Sequence, residues 1–168
     1  MPYSTFTVPR QIFYGLGALE ALASVPGQRV LIVTDPGVHS LGSVDRVESI
    51  LHNKKAETAV FDQVEPDPSK GTVWGIFSLA QQFQPDAFLG LGGGSSMDWF
   101  LYEHPDLAER PFREIMREVR SRELRKKARY VAIPTTSGTG SEVTNTAVVT
   151  DHDMQSPLKA PWTSLIRS

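Results

Sequence analysis

The chain has 168 residues and a formal net charge of −2, with 40% of its residues apolar, 21% charged and no cysteine. That length accommodates one domain with a proper core, or one and a small extension. The near-neutral balance excludes bulk attraction to nucleic acid or anionic lipid, and the missing cysteine excludes disulfides, thiolate metal sites and cysteine nucleophiles.

The first residues, "MPYSTFTVPRQ", lack the basic start and apolar block of a signal peptide. No apolar run approaches the ~20 residues that a membrane span needs. A soluble chain is expected, and the cysteine count suits a reducing cytoplasm. A helical window, Gly17 to Val25, is followed by "RVLIVTD", Arg29 to Asp35. This run is rich in β-branched residues and closed by Asp-Pro-Gly, and reads as a buried strand. A second helical window covers Val38 to His52. "ETAVFDQV" reads as the next strand, and Ser69 to Phe83 as the next helix, with Ser69 as N-cap after the prolines of "EPDP". "DAFLGLG", a helical window from Pro111 to Lys127, and "RYVAIP" continue the alternation. The strands are apolar throughout, without polar alternation, which predicts a sheet covered on both faces. Alternating strand and helix predicts an α/β layered domain, Rossmann-like, with a mainly parallel sheet flanked by helices and right-handed crossovers. The last strand candidate, "NTAVVTD", ends at Asp151. Residues 1–153 are expected to form the domain, and 154–168 an irregular tail or the point where a longer protein has been cut.

Two strand ends break into glycine. In "FLGLGGGSSMDWF", Phe88 to Phe100, an apolar run opens onto three glycines, a serine pair and an acid. Gly92, Gly93 and Gly94 can adopt φ > 0 and bring bare backbone close to a ligand. Successive amides there form an anion-binding nest, to which a following helix adds its positive end. Ser95 can cap that helix, with Asp98 three residues on as its acidic partner. One reading is a pyrophosphate held by Gly93, Gly94 and Ser95; the other is a glycine-rich turn before a well-capped helix. The pattern is neither G-x-G-x-x-G nor a Walker loop. Asp35 ends a strand and could bind ribose hydroxyls, but it precedes the glycines, whereas the usual dinucleotide fingerprint puts its acid ~20 residues after them. The second break, "YVAIPTTSGTGSEVT", places Thr135, Thr136, Ser137, Thr139 and Ser141 around Gly138 and Gly140. These hydroxyls suit a carboxamide, a ribose or a phosphate, or simply a loop. No G-x-S-x-G elbow surrounds either serine, so a serine nucleophile is not expected.

"GLGGGSSMD" together with "AIPTTSGTGSEVT" closely resembles the iron-containing (group III) alcohol dehydrogenases, and "VPRQIFYGLGALEAL", "VLIVTD" and "FDQVEPDPS" extend the likeness across Tyr3 to Asp153. The resemblance implies the N-terminal dinucleotide-binding domain of an NAD(P)-dependent alcohol or aldehyde oxidoreductase. By position, Gly92, Gly93, Gly94 and Ser95 match the pyrophosphate loop, and Asp98 the acid that closes it. Thr135 and Thr139 match contacts around the phosphates and nicotinamide, with Thr136 beside them among the cofactor-binding residues. Asp35 matches the strand-end acid that favours NAD, since a carboxylate there repels a 2′-phosphate; NADP is the less favoured cofactor.

The departures are equally specific. The family continues Asp-x-Ala-Lys where this chain has "MDWFLYEHPD", as if about five residues, the lysine included, were missing after Asp98, more than one turn at about 3.6 residues per turn. Asp67 replaces an asparagine of the family's "P-N-P" turn. The family builds its iron or zinc site from an aspartate and three histidines in a helical C-terminal domain, for which this sequence has no counterpart. His39, His52, His104 and His152 are scattered and match none of the ligand positions, so they read as surface or turn histidines. No metal and no catalytic residue are therefore expected within this chain. The basic run "RSRELRKKAR" reads as a solvated helix end rather than a nucleic-acid patch, and Trp74, Phe77 and Phe83 as core-facing. The expected partners are a dinucleotide and, for the intact family, a small alcohol or aldehyde, with homo-oligomer formation left open. The rival readings are a non-catalytic nucleotide-binding remnant and a dehydroquinate synthase or glycerol-1-phosphate dehydrogenase-like enzyme.

Overall fold

The structure is a computed structural model and describes residues 11–93, 102, 105–111, 114–115, 126–136, 146–151 and 156–161. A 3-10 helix, Ala18–Ser24, leads into β1 (Arg29–Thr34), α1 (Pro36–Ser40), α2 (Ser43–Asn53), β2 (Glu57–Phe61), α3 (Lys70–Phe83), β3 (Ala87–Gly92) and β4 (Arg129–Pro134). Strands β1 to β4 form one sheet in the order β2-β1-β3-β4, and every pairing in it is parallel. A separate antiparallel pair joins β5 (Thr146–Asp151) to β6 (Ser156–Pro161).

The strand sequences explain their place. Leu31, Ile32 and Phe88 are wholly inaccessible to solvent, and Val30, Val33, Leu89 and Leu91 nearly so, so β1 and β3 form the sheet's buried middle. Period-two alternation divides these side chains between two cores. Val30, Ile32, Leu89 and Leu91 pack with Val44, Val47, Ile50 and Leu51 of α2 and with Leu22 of the 3-10 helix. Leu31, Val33 and Phe88 pack with Ile76 and Ala80 of α3. The chain steps one way across the sheet from β1 to β2 and the other way from β2 to β3. With right-handed crossovers, this reversal lays α2 and α3 on opposite faces. The predicted α/β domain with a parallel sheet and helices on both sides is the observed one.

Several local expectations are refined. The window Val38 to His52 is two helices, because Gly42 adopts φ 74° and caps α2 after α1 has ended. The window Gly17 to Val25 is a 3-10 helix rather than an α-helix. Ser69 is the N-cap of α3, its hydroxyl accepting from the Thr72 amide at 3.3 Å. Phe77 is buried, with Trp74 edge-on to it at 5.9 Å. Phe83 is half-buried beneath the Arg29 guanidinium, 4.6 Å from its ring centre. Ser156–Pro161, assigned from sequence to an irregular tail, pairs with β5 as a strand. Of the Pro111 to Lys127 window, only Glu114 and Ile115 are described as helical.

The two ends of the sheet differ in character. At the amino ends, Asp86 accepts from the Gln28 and Arg29 amides at 2.9–3.0 Å, and Arg29 bonds the Phe83 carbonyl and pairs with Glu57. That end is tied shut by backbone and charge. The carboxyl ends are where glycine opens the chain.

Candidate functional site

In the order β2-β1-β3-β4, successive connections leave β1 and β3 in opposite directions, so their carboxyl ends frame a topological switch point, the place where open α/β sheets bind ligands. Thr34 holds the two rims together. It is fully buried, and its hydroxyl donates to the Leu91 carbonyl at 2.6 Å, directly across the register pair Thr34–Leu91. Its own carbonyl accepts from the Val64 amide at 3.3 Å, which folds the loop after β2 back over the end of β1. Thr34 was absent from the sequence-derived candidates. Its signal was a hydroxyl closing an otherwise apolar strand.

One residue beyond that pair stand Asp35 on one rim and Gly92 on the other. Asp35 is half-buried and caps α1, its Oδ1 accepting from the Val38 amide at 2.9 Å. Among the described residues its Oδ2 has no hydrogen-bond partner. Gly92 is buried with φ 152°, a conformation that side-chain-bearing residues rarely adopt. Gly93 lies outside that region of φ. A Cβ added there would sit 3.4 Å from the Thr136 hydroxyl, in ordinary contact. The positive φ expected of the turn thus belongs, among its described glycines, to Gly92, while Gly93 offers bare backbone beneath Thr136. The end of β4 closes the site: the Thr135 amide donates to the Gly92 carbonyl at 3.1 Å, and Thr135 and Thr136 are exposed.

The structure therefore brings Asp35, Gly92, Gly93, Thr135 and Thr136 to one edge of the sheet. Gly94, Ser95, Asp98 and Thr139 lie outside the described residues, as does the junction after Asp98. Nearby, Glu65 follows β2 and accepts from the hydroxyls of Ser69, at 2.9 Å, and Thr72. Burial pushes its carboxyl up, but the hydrogen bonds from Thr72, Ser69 and backbone amides outweigh this and hold it below the usual glutamate range.

A dinucleotide fits this donor set: a bare glycine backbone, exposed hydroxyls, and a carboxylate with an oxygen to spare just past the neighbouring strand. A metal does not. Among the described residues no three His, Cys, Asp or Glu side chains form a cluster that could hold an ion. His39 pairs with Asp62 and His52 with Thr58, at 2.7 and 2.9 Å. His104 and His152 lie outside the described residues.

Comparison with known proteins bears on the family and the fold. The chain is 42% identical over 153 residues to an NADPH-dependent butanol dehydrogenase of Clostridium saccharobutylicum, covering 88% of this chain and 39% of that protein. It is 39% identical over 158 residues to the bifunctional aldehyde-alcohol dehydrogenase of Escherichia coli K12, covering 86% of this chain and 18% of that protein. The fold matches the crystal structure of an NADH-dependent butanol dehydrogenase from Thermotoga maritima with a TM-score of 0.81 at 23% identity, covering 98% of this chain and 42% of that one. The chain thus spans less than half the length of these relatives. The model of the family described as "Iron-containing alcohol dehydrogenase" matches residues 9–164, a stretch that takes in both glycine breaks and the strand ends that carry them, and the chain belongs to that family.

Proposed function

We propose that this chain forms the NAD-binding portion of an alcohol or aldehyde oxidoreductase. The observation that carries the reading is the convergence at the carboxyl ends of β1 and β3, where Asp35 follows one strand and Gly92–Gly93 end the other, one step past the register pair Thr34–Leu91. In this assignment the backbone of Gly93, continued by Gly94 and Ser95, receives the pyrophosphate, with Asp98 closing the loop. Asp35 uses its spare oxygen for the adenosine ribose. Thr135, Thr136 and Thr139 supply hydroxyls toward the phosphates and the nicotinamide. The bound dinucleotide supplies the hydride acceptor, or the donor in the reverse direction.

What the chain's own residues contribute is binding and orientation. A buried Gly92 lets the strand end turn sharply, and Thr34 keeps the two rims in register, so the site needs little rearrangement on binding. Asp35 favours NAD over NADP by charge repulsion of a 2′-phosphate. The names of the two butanol dehydrogenases divide between NADPH and NADH, so the choice rests on Asp35 alone. The family's metal-dependent polarisation of the alcohol is assigned to none of the described residues, because no three of their His, Asp or Glu side chains cluster to hold an ion. Calorimetric titration of the chain with NAD and with NADP tests the proposal. Binding of NAD in preference to NADP is expected, and binding of neither would refute it.

A further inference from the structure

The turn that carries Asp35 has little to hold it. Helix α1 has five residues and no buried side chain; Val38 is half-buried against the core, and Leu41 beyond the helix is 81% exposed. A helix so short is not stable by itself. Its two ends are nevertheless fixed. At the start, Asp35 accepts from the Val38 amide. At the end, the His39 ring lies with Nδ1 2.7 Å from Oδ2 of Asp62. A carboxylate only accepts, so the ring nitrogen donates. The His39 amide in turn donates to the Asp35 carbonyl at 3.1 Å. Asp62 directly follows β2 and is itself anchored, because Val64, two residues on, is buried and bonded to Thr34. A continuous path therefore runs from the core, through Asp62 and His39, to Asp35, the residue assigned above to the ribose.

We propose that His39 and Asp62 are positioning residues for cofactor selection: their pair clamps the α1 turn to the carboxyl end of β2 and thereby fixes the Asp35 carboxylate on the crevice rim. The inference rests on Asp35 being the ribose contact. Its physical basis is distance. Repulsion between a carboxylate and a 2′-phosphate falls with separation, and a frayed turn spreads the carboxylate over longer separations, so discrimination falls even though the charge remains. A bond that served only general stability would weaken both cofactors alike.

The test measures dissociation constants for NAD and NADP, at one pH and salt concentration, in the parent chain and in His39→Ala, Asp62→Ala and His39→Asn. Both side chains are 39% exposed, so folded variants are expected, and circular dichroism checks this. The expected result is a two- to fivefold fall, roughly, in the NADP-to-NAD ratio for each alanine variant, the range set by a partly exposed side-chain hydrogen bond of about 0.5–1 kcal/mol. His39→Asn, whose amide can donate from the place of Nδ1, should return the ratio toward that of the parent. If the parent prefers NAD and the alanine variants leave the ratio unchanged, or weaken both cofactors by one factor, the clamp is refuted while the cofactor reading stands. If the parent shows no preference, or binds neither cofactor, both fall together.

Discussion

Asp35 carries two roles that one substitution can separate. Its Oδ1 caps α1 through the Val38 amide at 2.9 Å, while in the proposed function its charge reads the adenosine ribose. Asparagine caps as well as aspartate but has no charge; alanine has neither property. For two unit charges about 5 Å apart at an effective dielectric constant of roughly 20–40, Coulomb's law gives about 2–3 kcal/mol, or roughly 30- to 150-fold in affinity. Asp35 is half-exposed, so salt screens part of this and about tenfold is the conservative expectation. Asp35→Asn should therefore narrow the NAD-over-NADP preference about tenfold, mainly by strengthening NADP, with stability held within about 0.5 kcal/mol. Asp35→Ala should narrow it similarly and also lose about 1 kcal/mol for the missing cap, a shift of roughly 0.5 M in the urea midpoint. Calorimetry with both cofactors and urea unfolding of all three proteins supply the data. An unchanged cofactor ratio in Asp35→Asn, from a parent that does prefer NAD, would remove the carboxylate from the ribose site.

Thr34→Val keeps the shape of the side chain but deletes the 2.6 Å bond to the Leu91 carbonyl in a fully buried place; a loss of about 1–2 kcal/mol is expected by urea unfolding, with Thr34→Ser as the hydroxyl-retaining control. Gly93→Val should abolish NAD binding while leaving the fold intact, since the space above Gly93 opens onto the Thr136 side chain rather than backbone; a folded variant with parental affinity would sink the assignment. Glu65 has a folded pKa below its unfolded one, so its hydrogen bonds stabilise the chain fully above the ordinary glutamate range, and this contribution is lost as pH falls through the depressed value. Glu65→Gln should flatten that part of the acid limb of a stability–pH curve, and an identical acid limb would contradict the assignment.

What the sequence made legible follows from periodicity and breakers. The central strands β1 and β3 are nearly continuous apolar runs, because burial on both faces leaves little room for a polar side chain; Leu31 and Ile32 point to opposite cores and are equally inaccessible. Ser69 after its prolines announced the start of α3. The break between α1 and α2 was harder, since Val38 to His52 keeps a helical pattern across Gly42, and only the left-handed conformation there separates the two helices. Strand β6 was illegible for another reason. "SPLKAP" contains two prolines, which argue against a strand in a central position but are tolerated in a two-stranded pair. His39 looked like a surface histidine. Its partner is 23 residues away, and no local pattern links the end of a five-residue helix to the residue after the next strand.

The order of the motifs follows from the order of the strands. In the usual fingerprint the glycines come first and the acid ~20 residues later. Here Asp35 directly follows β1, and the glycines come only at the end of β3, with β2 and two crossovers between them. In sequence the two motifs look unrelated. In the sheet β2 lies on the far side of β1, so β3 returns to pair with β1, and the register Thr34–Leu91 sets Asp35 and Gly92 one step past the same rung. Binding chemistry asks only that an anion-accepting backbone and a ribose-binding carboxylate share one crevice. A crossover that reverses direction brings the two candidates for these roles to one end of the sheet, and the buried Thr34 hydroxyl joins their strands at the last paired residues. The site thus depends on the β1–β3 pairing more than on either motif, which is why a change at Thr34, outside both glycine breaks, should be felt on both sides of it.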